Sequence, residues 1–277
     1  MQATIVVNGL DHPEDLAFAA DGSLWTGGEE GQIYVVPLTG GTPREIARTG
    51  GSSLGMAFDR AGAAYVCNLD NRIYRVEPDG AWRVFADRAG SQPMTTPNYP
   101  VFGPDGSLYV SGSGGYPAWS GQIYRFDPDG RGTIFHPGPF KYANGLAIDA
   151  TGAWLYVIQT GGNDIVRLRL ADGAGATPEI WAVGLEHLPD GLAFDSEGNA
   201  YVTAFASDAI YKVTPVGHVS LLLRDVTAQT LNRPTNCAFG GPTFDRLYVA
   251  NLGSHFISAI DIGSAGQPLY GGYRGEG

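Results

Sequence analysis

The sequence repeats one pattern of strand, turn and strand six times. Each copy joins an apolar strand to a second strand through a tight turn, as in Leu16–Trp25 and Leu192–Val202. Aligned on the large hydrophobic residue of the first strand, successive copies are 40, 44, 46, 46 and 45 residues apart. The aligned residues are Phe18, Phe58, Phe102, Ile148, Phe194 and Phe239. This period is typical of a four-stranded propeller blade.

Each copy continues with two further strand patterns. Gln32–Val36 and Ala209–Val213 exemplify the third strand, and Trp82–Phe85 the fourth. Asp-Gly pairs such as Asp105-Gly106 supply turns that require positive φ. We therefore predict an all-β, six-bladed propeller with four antiparallel strands per blade, spanning residues 1–277 as a single domain. Thr4–Val7 is the expected outer strand of the last blade, which closes the ring.

Composition limits the classes of partner. The chain has 17 Lys and Arg against 28 Asp and Glu, a formal charge of −11, which disfavours nucleic acid and anionic membrane surfaces. The 43% of hydrophobic residues allows a large core. Cys67 and Cys237 follow no metal-binding spacing, so we expect two buried thiols. The N-terminal residues have neither a basic region nor a long apolar run, and we expect a cytoplasmic protein.

Polar side chains occupy one register of the repeat. The position four residues before the aligned hydrophobe is expected at one mouth of the central channel. It holds Glu14, Leu54, Asn98, Asn144, Asp190 and Thr235. Any single Asn or Asp near a strand entry can serve only a turn. Two carboxylates and two carboxamides in one ring instead favour a hard-cation site, because Ca²⁺, Mg²⁺ and Mn²⁺ prefer oxygen ligands.

The same segments resemble the regucalcin (senescence marker protein)/gluconolactonase family over nearly the whole chain. The resemblance is carried by Pro13-Glu14, Asn98, Asn144-Gly145-Leu146, Pro189-Asp190-Gly191-Leu192 and Phe239-Gly240-Gly241. It implies a six-bladed propeller that hydrolyses lactones or related esters with one divalent metal. Carried over by position, Glu14, Asn144 and Asp190 are the direct ligands, and Asn98 is a weaker or water-mediated ligand that also touches substrate. We expect Ca²⁺, with Mg²⁺, Mn²⁺ and Zn²⁺ as alternatives.

One departure from the family pattern bears on the substrate. Members that hydrolyse sugar lactones carry Arg two residues before the aligned Asn and Asp directly after it. This chain has Thr96 and Tyr99 there. The less polar wall favours a more apolar or aromatic lactone or ester over a simple sugar lactone.

The mechanism needs a group that accepts a proton from water. Ca²⁺ acidifies water less than Zn²⁺ does, so we expect a carboxylate base and choose Asp190, whose second oxygen remains available. His12 and His187 precede Glu14 and Asp190 by two and three residues. Each could instead be a proton shuttle or a solvent-facing loop residue. His136, His218 and His255 are expected to be structural.

The loop Ser111–Gly121 carries Tyr116 and Trp119 among glycines. We interpret it as a lid or substrate wall, or as a loop packed on its own aromatic rings.

Two further functions stay open at this point. The scaffold could carry a non-hydrolytic enzyme such as a strictosidine-synthase-like protein, or a binding module with a structural metal. The retained Glu, Asn and Asp set favours the hydrolase of a small-molecule lactone or ester.

Overall fold

The computed structural model describes residues 1–38 and 41–272. These residues form six four-stranded antiparallel sheets and one short two-stranded ribbon. The innermost strands of neighbouring sheets contact one another around a closed ring. The predicted six-bladed propeller is confirmed.

The strands follow the predicted order within every blade. Blade 1 comprises Leu16–Phe18, Leu24–Gly27, Gln32–Val36 and Arg44–Arg48. Blade 2 comprises Ser53–Phe58, Ala64–Asn68, Arg72–Val76 and Trp82–Ala86. Blade 3 comprises Pro97–Phe102, Leu108–Gly112, Gly121–Phe126 and Gly132–Phe140. Blade 4 comprises Ala143–Ile148, Trp154–Gln159, Asp164–Arg169 and Glu179–Val183. Blade 5 comprises Pro189–Phe194, Ala200–Ala204, Ala209–Val213 and Val219–Arg224. Blade 6 comprises Pro234–Gly240, Arg246–Asn251, Phe256–Asp261 and, as its outer strand, Ala3–Asn8. The ribbon is Arg88–Ala89 with Gln92–Pro93, and the 3₁₀ helices are Leu170–Gly175 and Phe205–Ser207.

The ring is closed by the N-terminal strand. Ala3–Asn8 pairs antiparallel with Phe256–Asp261, with Ala3 opposite Ile260 and Asn8 opposite Phe256. Joining the first strand to the last blade satisfies a sheet edge that would otherwise lie open. The predicted closure is confirmed.

The repeat also explains how neighbouring blades pack. At five of the six seams between blades, an aromatic residue in the second strand of one blade contacts the aligned phenylalanine of the next blade edge to face. Ring centroids are 5.2 Å apart for Trp25 with Phe58, and 5.0 Å apart for Tyr248 with Phe18, which joins blade 6 to blade 1. Such pairs stabilise by about 0.5–1.5 kcal/mol beyond their buried area. The repeated pattern therefore specifies contacts between blades as well as within them.

The C-terminal segment 266–272 crosses the channel end that carries the aligned hydrophobes. Gln267 donates its backbone N–H to the carbonyl of Phe194 and its side-chain amide to that of Ile148, at 2.9 and 2.8 Å. A Cβ on Gly271 would lie 2.1 Å from the Phe58 carbonyl oxygen, so the segment packs tightly. This end of the channel is apolar and covered.

Two smaller expectations concern the cysteines and membranes. Cys67 and Cys237 are buried and unpaired, as predicted. Among the residues that the structure describes, no helix has the length and apolar character needed to cross a membrane.

Candidate functional site

Two successive layers of residues line the channel at the end opposite the C-terminal segment 266–272. The outer layer is the predicted ring of Glu14, Leu54, Asn98, Asn144, Asp190 and Thr235. The inner layer consists of the residues that follow them, Asp15, Gly55, Tyr99, Gly145, Gly191 and Asn236. Each residue of a layer enters on the innermost strand of its blade, or directly before it in blade 1.

The inner layer is a hydrogen-bonded network. Asp15 is 1% exposed and accepts hydrogen bonds from the side-chain amide of Asn236 and the backbone N–H of Met56. Tyr99 reaches across the channel and hydrogen-bonds with Asn236. Burial raises the pKa of Asp15, although these hydrogen bonds oppose the shift. Hydrogen bonds within the fold therefore satisfy the carboxyl group of Asp15.

Glycine in the other inner-layer positions makes room for these side chains. A Cβ on Gly191 would lie 2.2 Å from Asn236 Oδ1, and a Cβ on Gly55 would lie 2.5 Å from the carbonyl oxygen of Asn98. Larger residues could not occupy either position without moving the neighbouring strand. The glycines thus let the three polar side chains fill the centre.

The outer layer leaves a carboxylate oxygen without a partner. Within residues 1–38 and 41–272, Glu14 Oε2 is buried and makes no hydrogen bond. Burial, with a smaller contribution from the charge of Glu29, raises the pKa of Glu14 to about 7. Burial and then the charge of Glu14 raise the pKa of Asp190 well above its usual range, opposed by a hydrogen bond from Asn144. The structure therefore brings Glu14, Asn144 and Asp190 together.

Hydroxyl groups orient the two carboxamides. Asn98 Nδ2 donates to Ser113 Oγ at 3.0 Å, and Asn144 Nδ2 donates to Thr160 Oγ1 at 3.1 Å. Each hydroxyl in turn donates to a backbone carbonyl of the next blade, at 2.8 and 2.7 Å. With the nitrogen atoms engaged in this way, Oδ1 of each amide remains available as an acceptor or ligand.

These donors suit a hard divalent cation. The set contains only oxygen ligands, and two carboxylates balance the charge of one divalent ion. A cation would also supply the partner that Glu14 Oε2 lacks, and it would relieve the repulsion between Glu14 and Asp190. Ser113 and Thr160 would serve as the groups that orient the ligands.

The aromatic loop lies beside this layer through Tyr142. The Tyr116 ring is 5.1 Å from Trp119 and 6.5 Å from Tyr142, centroid to centroid. Burial and then the charges of Asp190 and Glu14 raise the pKa of Tyr142, so its hydroxyl lies near both carboxylates. Tyr116 is 70% exposed. The loop therefore offers apolar area at the entrance, and its role as a lid stays a prediction.

Thr96 and Tyr99 occupy different depths. Thr96 is partly buried and donates its backbone N–H to Asn71 Oδ1 at 2.7 Å. Tyr99 belongs to the inner layer, where its hydroxyl bonds with Asn236. Tyr99 therefore lies in the layer next to the carboxylates of the outer layer. Contact of Thr96 or Tyr99 with substrate stays a prediction.

The two histidines at the mouth face acidic neighbours. His12 Nδ1 is 3.0 Å from Asp11 Oδ1, and His187 Nε2 is 3.2 Å from Glu186 Oε2. His255, which we expected to be structural, packs against His12 with ring centroids 4.3 Å apart. A part in proton transfer for His12 or His187 stays a prediction.

The sequence analysis did not single out the inner layer or Tyr142. A signal for the inner layer was present, because its register holds glycine in three blades and Asp15, Tyr99 and Asn236 in the other three. Tyr142 precedes Asn144 by two residues, the same register as Thr96 before Asn98, and the packing of Tyr116 against it shows its place at the site.

Known proteins share both the sequence pattern and the fold. The family described as SMP-30/Gluconolactonase/LRE-like region matches residues 16–252. A 6-deoxy-6-sulfogluconolactonase from Pseudomonas putida is 28% identical over 55% of this chain and 57% of its own length. A gluconolactonase from Zymomonas mobilis is 25% identical over 75% of this chain and 62% of its own length. The chain thus spans less than two thirds of either relative.

A solved structure agrees with the observed architecture. The calcium-binding protein regucalcin from Agrobacterium tumefaciens has a TM-score of 0.77 at 18% identity, covering 99% of this chain and 96% of the other. At that identity the likeness concerns the fold alone. Because the family match covers most of the chain, the protein belongs to the SMP-30/gluconolactonase/LRE-like family.

Proposed function

We propose that this protein hydrolyses a lactone or a related ester at the outer layer of the channel, with a divalent cation held by Glu14, Asn144 and Asp190. Asn98 is a weaker or water-mediated ligand that also contacts substrate. The observation that carries the proposal is the buried, unpartnered Oε2 of Glu14 close to a second carboxylate. Two buried like charges are costly unless a cation joins them.

The lactonase relatives support the reaction class. When bound, the cation acts as a Lewis acid for the negative charge that develops on the carbonyl oxygen. Ca²⁺ is the first choice because every donor is an oxygen. Asp190 accepts the proton of the attacking water, and Asn144 orients the Asp190 carboxylate through their hydrogen bond.

Side chains above the carboxylates favour an apolar or aromatic substrate. Tyr142 lies near both Asp190 and Glu14, and the Tyr116 and Trp119 rings continue from it toward solvent. Rings at this place offer apolar contact to the part of a lactone that extends beyond the carbonyl. We therefore expect aryl and alkyl lactones to be hydrolysed with higher kcat/KM than simple sugar lactones.

The test is lactone hydrolysis by protein dialysed against a chelator. A panel of sugar, alkyl and aryl lactones is assayed by acid release, with and without added Ca²⁺. We expect hydrolysis that depends on the cation and is lost in Glu14→Gln, while Glu186→Gln serves as a control at the exposed mouth. Hydrolysis by Glu14→Gln at the unmodified rate would contradict the proposed site. Identification of the hydroxy acid product separates hydrolysis from a synthase reaction.

A further inference from the structure

The seam between blades 1 and 6 carries a second group of metal-binding side chains. The backbone N–H of Leu10 donates to the carbonyl of His255 at 3.1 Å, which holds the loop before Glu14 against the loop before Phe256. This contact brings Asp11 and His12 of blade 1 beside His255 of blade 6. One ligand atom from each of these three residues lies within 4.8 Å of the other two.

Glu29, beside His12, is a further candidate ligand. His12 Nδ1 is 3.0 Å from Asp11 Oδ1 and 3.6 Å from Glu29 Oε2. In a tetrahedral zinc site with bonds of about 2.0–2.1 Å, neighbouring ligand atoms are about 3.4 Å apart. The separations of His12 from Asp11 and from Glu29 are close to this value, and the Glu29 side chain would have to rotate to approach Asp11 and His255 as well.

Two hydrogen bonds orient the ligands from outside. His255 Nδ1 lies 2.9 Å from the carbonyl oxygen of Leu10, to which it can only donate, so its Nε2 keeps a lone pair. Gln32 Nε2 donates to Asp11 Oδ2 at 2.8 Å, which leaves Asp11 Oδ1 toward His12. Contacts of this kind set the tautomer and direction of ligands in zinc proteins.

We infer that Asp11, His12, Glu29 and His255 form a zinc site that clips blade 1 to blade 6. The two imidazoles favour a borderline metal such as Zn²⁺, whereas the all-oxygen outer layer of the channel favours Ca²⁺. Two carboxylates and two neutral imidazoles give an uncharged complex with Zn²⁺. The site is separate from the proposed hydrolytic centre and does not depend on it.

Because the site ties His255 to residues that lie 226 or more positions earlier in the sequence, zinc should raise the temperature of unfolding.

The test is zinc binding in the presence of excess Ca²⁺, which keeps the channel site filled. Zn²⁺ is titrated by competition with a chromophoric chelator, and Co²⁺ is used as a spectroscopic substitute. We expect one equivalent of Zn²⁺ and the visible absorption of a four-coordinate Co²⁺ site. His255→Gln should weaken zinc binding by at least about 100-fold and abolish that absorption, while Gln32→Ala should weaken binding about 10-fold.

Controls separate loss of the site from loss of the fold. His218→Gln, on a loop of blade 5, should bind zinc like the unmodified protein. His255 is exposed, so circular dichroism of His255→Gln should be unchanged. Unmodified protein that binds no Zn²⁺ under excess Ca²⁺, or His255→Gln that binds it as tightly as the unmodified protein does, would overturn the inference.

Discussion

Adjacent carboxylates in the channel, Asp15 and Glu14, have opposite environments. Asp15 accepts hydrogen bonds from Asn236, Met56 and Leu16, so its carboxyl group is satisfied by partners within the fold. Glu14 has a buried oxygen with no partner in the part of the chain that the structure describes. Burial raises the pKa of both carboxyl groups. Burial alone therefore does not identify a functional carboxylate; what distinguishes Glu14 is a buried oxygen without a partner beside a second carboxylate, which favours a bound cation.

The largest expected effect concerns the base in the outer layer. We predict that Asp190→Asn lowers kcat for lactone hydrolysis by about 10²–10⁴-fold, since general-base assistance contributes that much. Asn98→Ala should cost less. Both are measured at saturating Ca²⁺, with Glu186→Gln as the control. Equal kcat for Asp190→Asn and the unmodified protein would assign the base to another residue.

The next prediction compares how substitution of Asp15 and of Glu14 changes the stability of the protein. Asp15→Ala leaves the amides of Met56 and Asn236 without an acceptor, which should lower the free energy of unfolding by about 3 kcal/mol. Glu14→Gln removes no hydrogen bond at Oε2 and should change stability by less than about 1 kcal/mol in chelator. Urea denaturation of both variants measures this. Equal losses would show that Glu14 is structural.

A third prediction uses pH to detect the unpaired carboxyl. With chelator, the folded protein keeps a proton on Glu14 up to about pH 7, whereas the unfolded chain releases it near 4.5. The free energy of unfolding should therefore fall between pH 4.5 and 7, and Glu14 should contribute roughly 3 kcal/mol at most to this fall. Excess Ca²⁺ should oppose the fall, and Glu14→Gln should reduce it. A free energy that rises over this interval in chelator would contradict the assignment.

The smallest expected effect concerns the hydroxyl that orients Asn98. Ser113→Ala removes the acceptor for Asn98 Nδ2 and should weaken Ca²⁺ binding by about 10-fold, measured by calorimetry. Ser107→Ala, at the other end of the same blade, is the matched control because the Ser107 hydroxyl hydrogen-bonds with the side chains of Asp105 and Arg125, away from the candidate site. Equal affinities in both variants would show that Asn98 needs no such support.

Much of the fold could be predicted because its interactions recur at fixed spacing. The six copies of the repeat indicated the number of blades, its period indicated four strands in each, and the aligned Phe residues form contacts between blades. The ring that contains Glu14, Asn98, Asn144 and Asp190 could be assembled in the same way, because equal registers in equal blades reach the same depth of the channel.

The sequence could not show which side chains far apart along the chain contact one another in the fold. Glu14 and Asp15 are neighbours with similar chemistry, but the side-chain amide of Asn236, 221 residues away from Asp15, donates to the Asp15 carboxylate. Asp11 and His255 likewise meet only because the ring closes between blades 6 and 1. The repeat thus determined by itself the blades and the oxygen-bearing ring. The closed tertiary structure alone decided which carboxyl is satisfied and which distant side chains meet, because hydrogen-bond partners and charges act through space over a few ångströms.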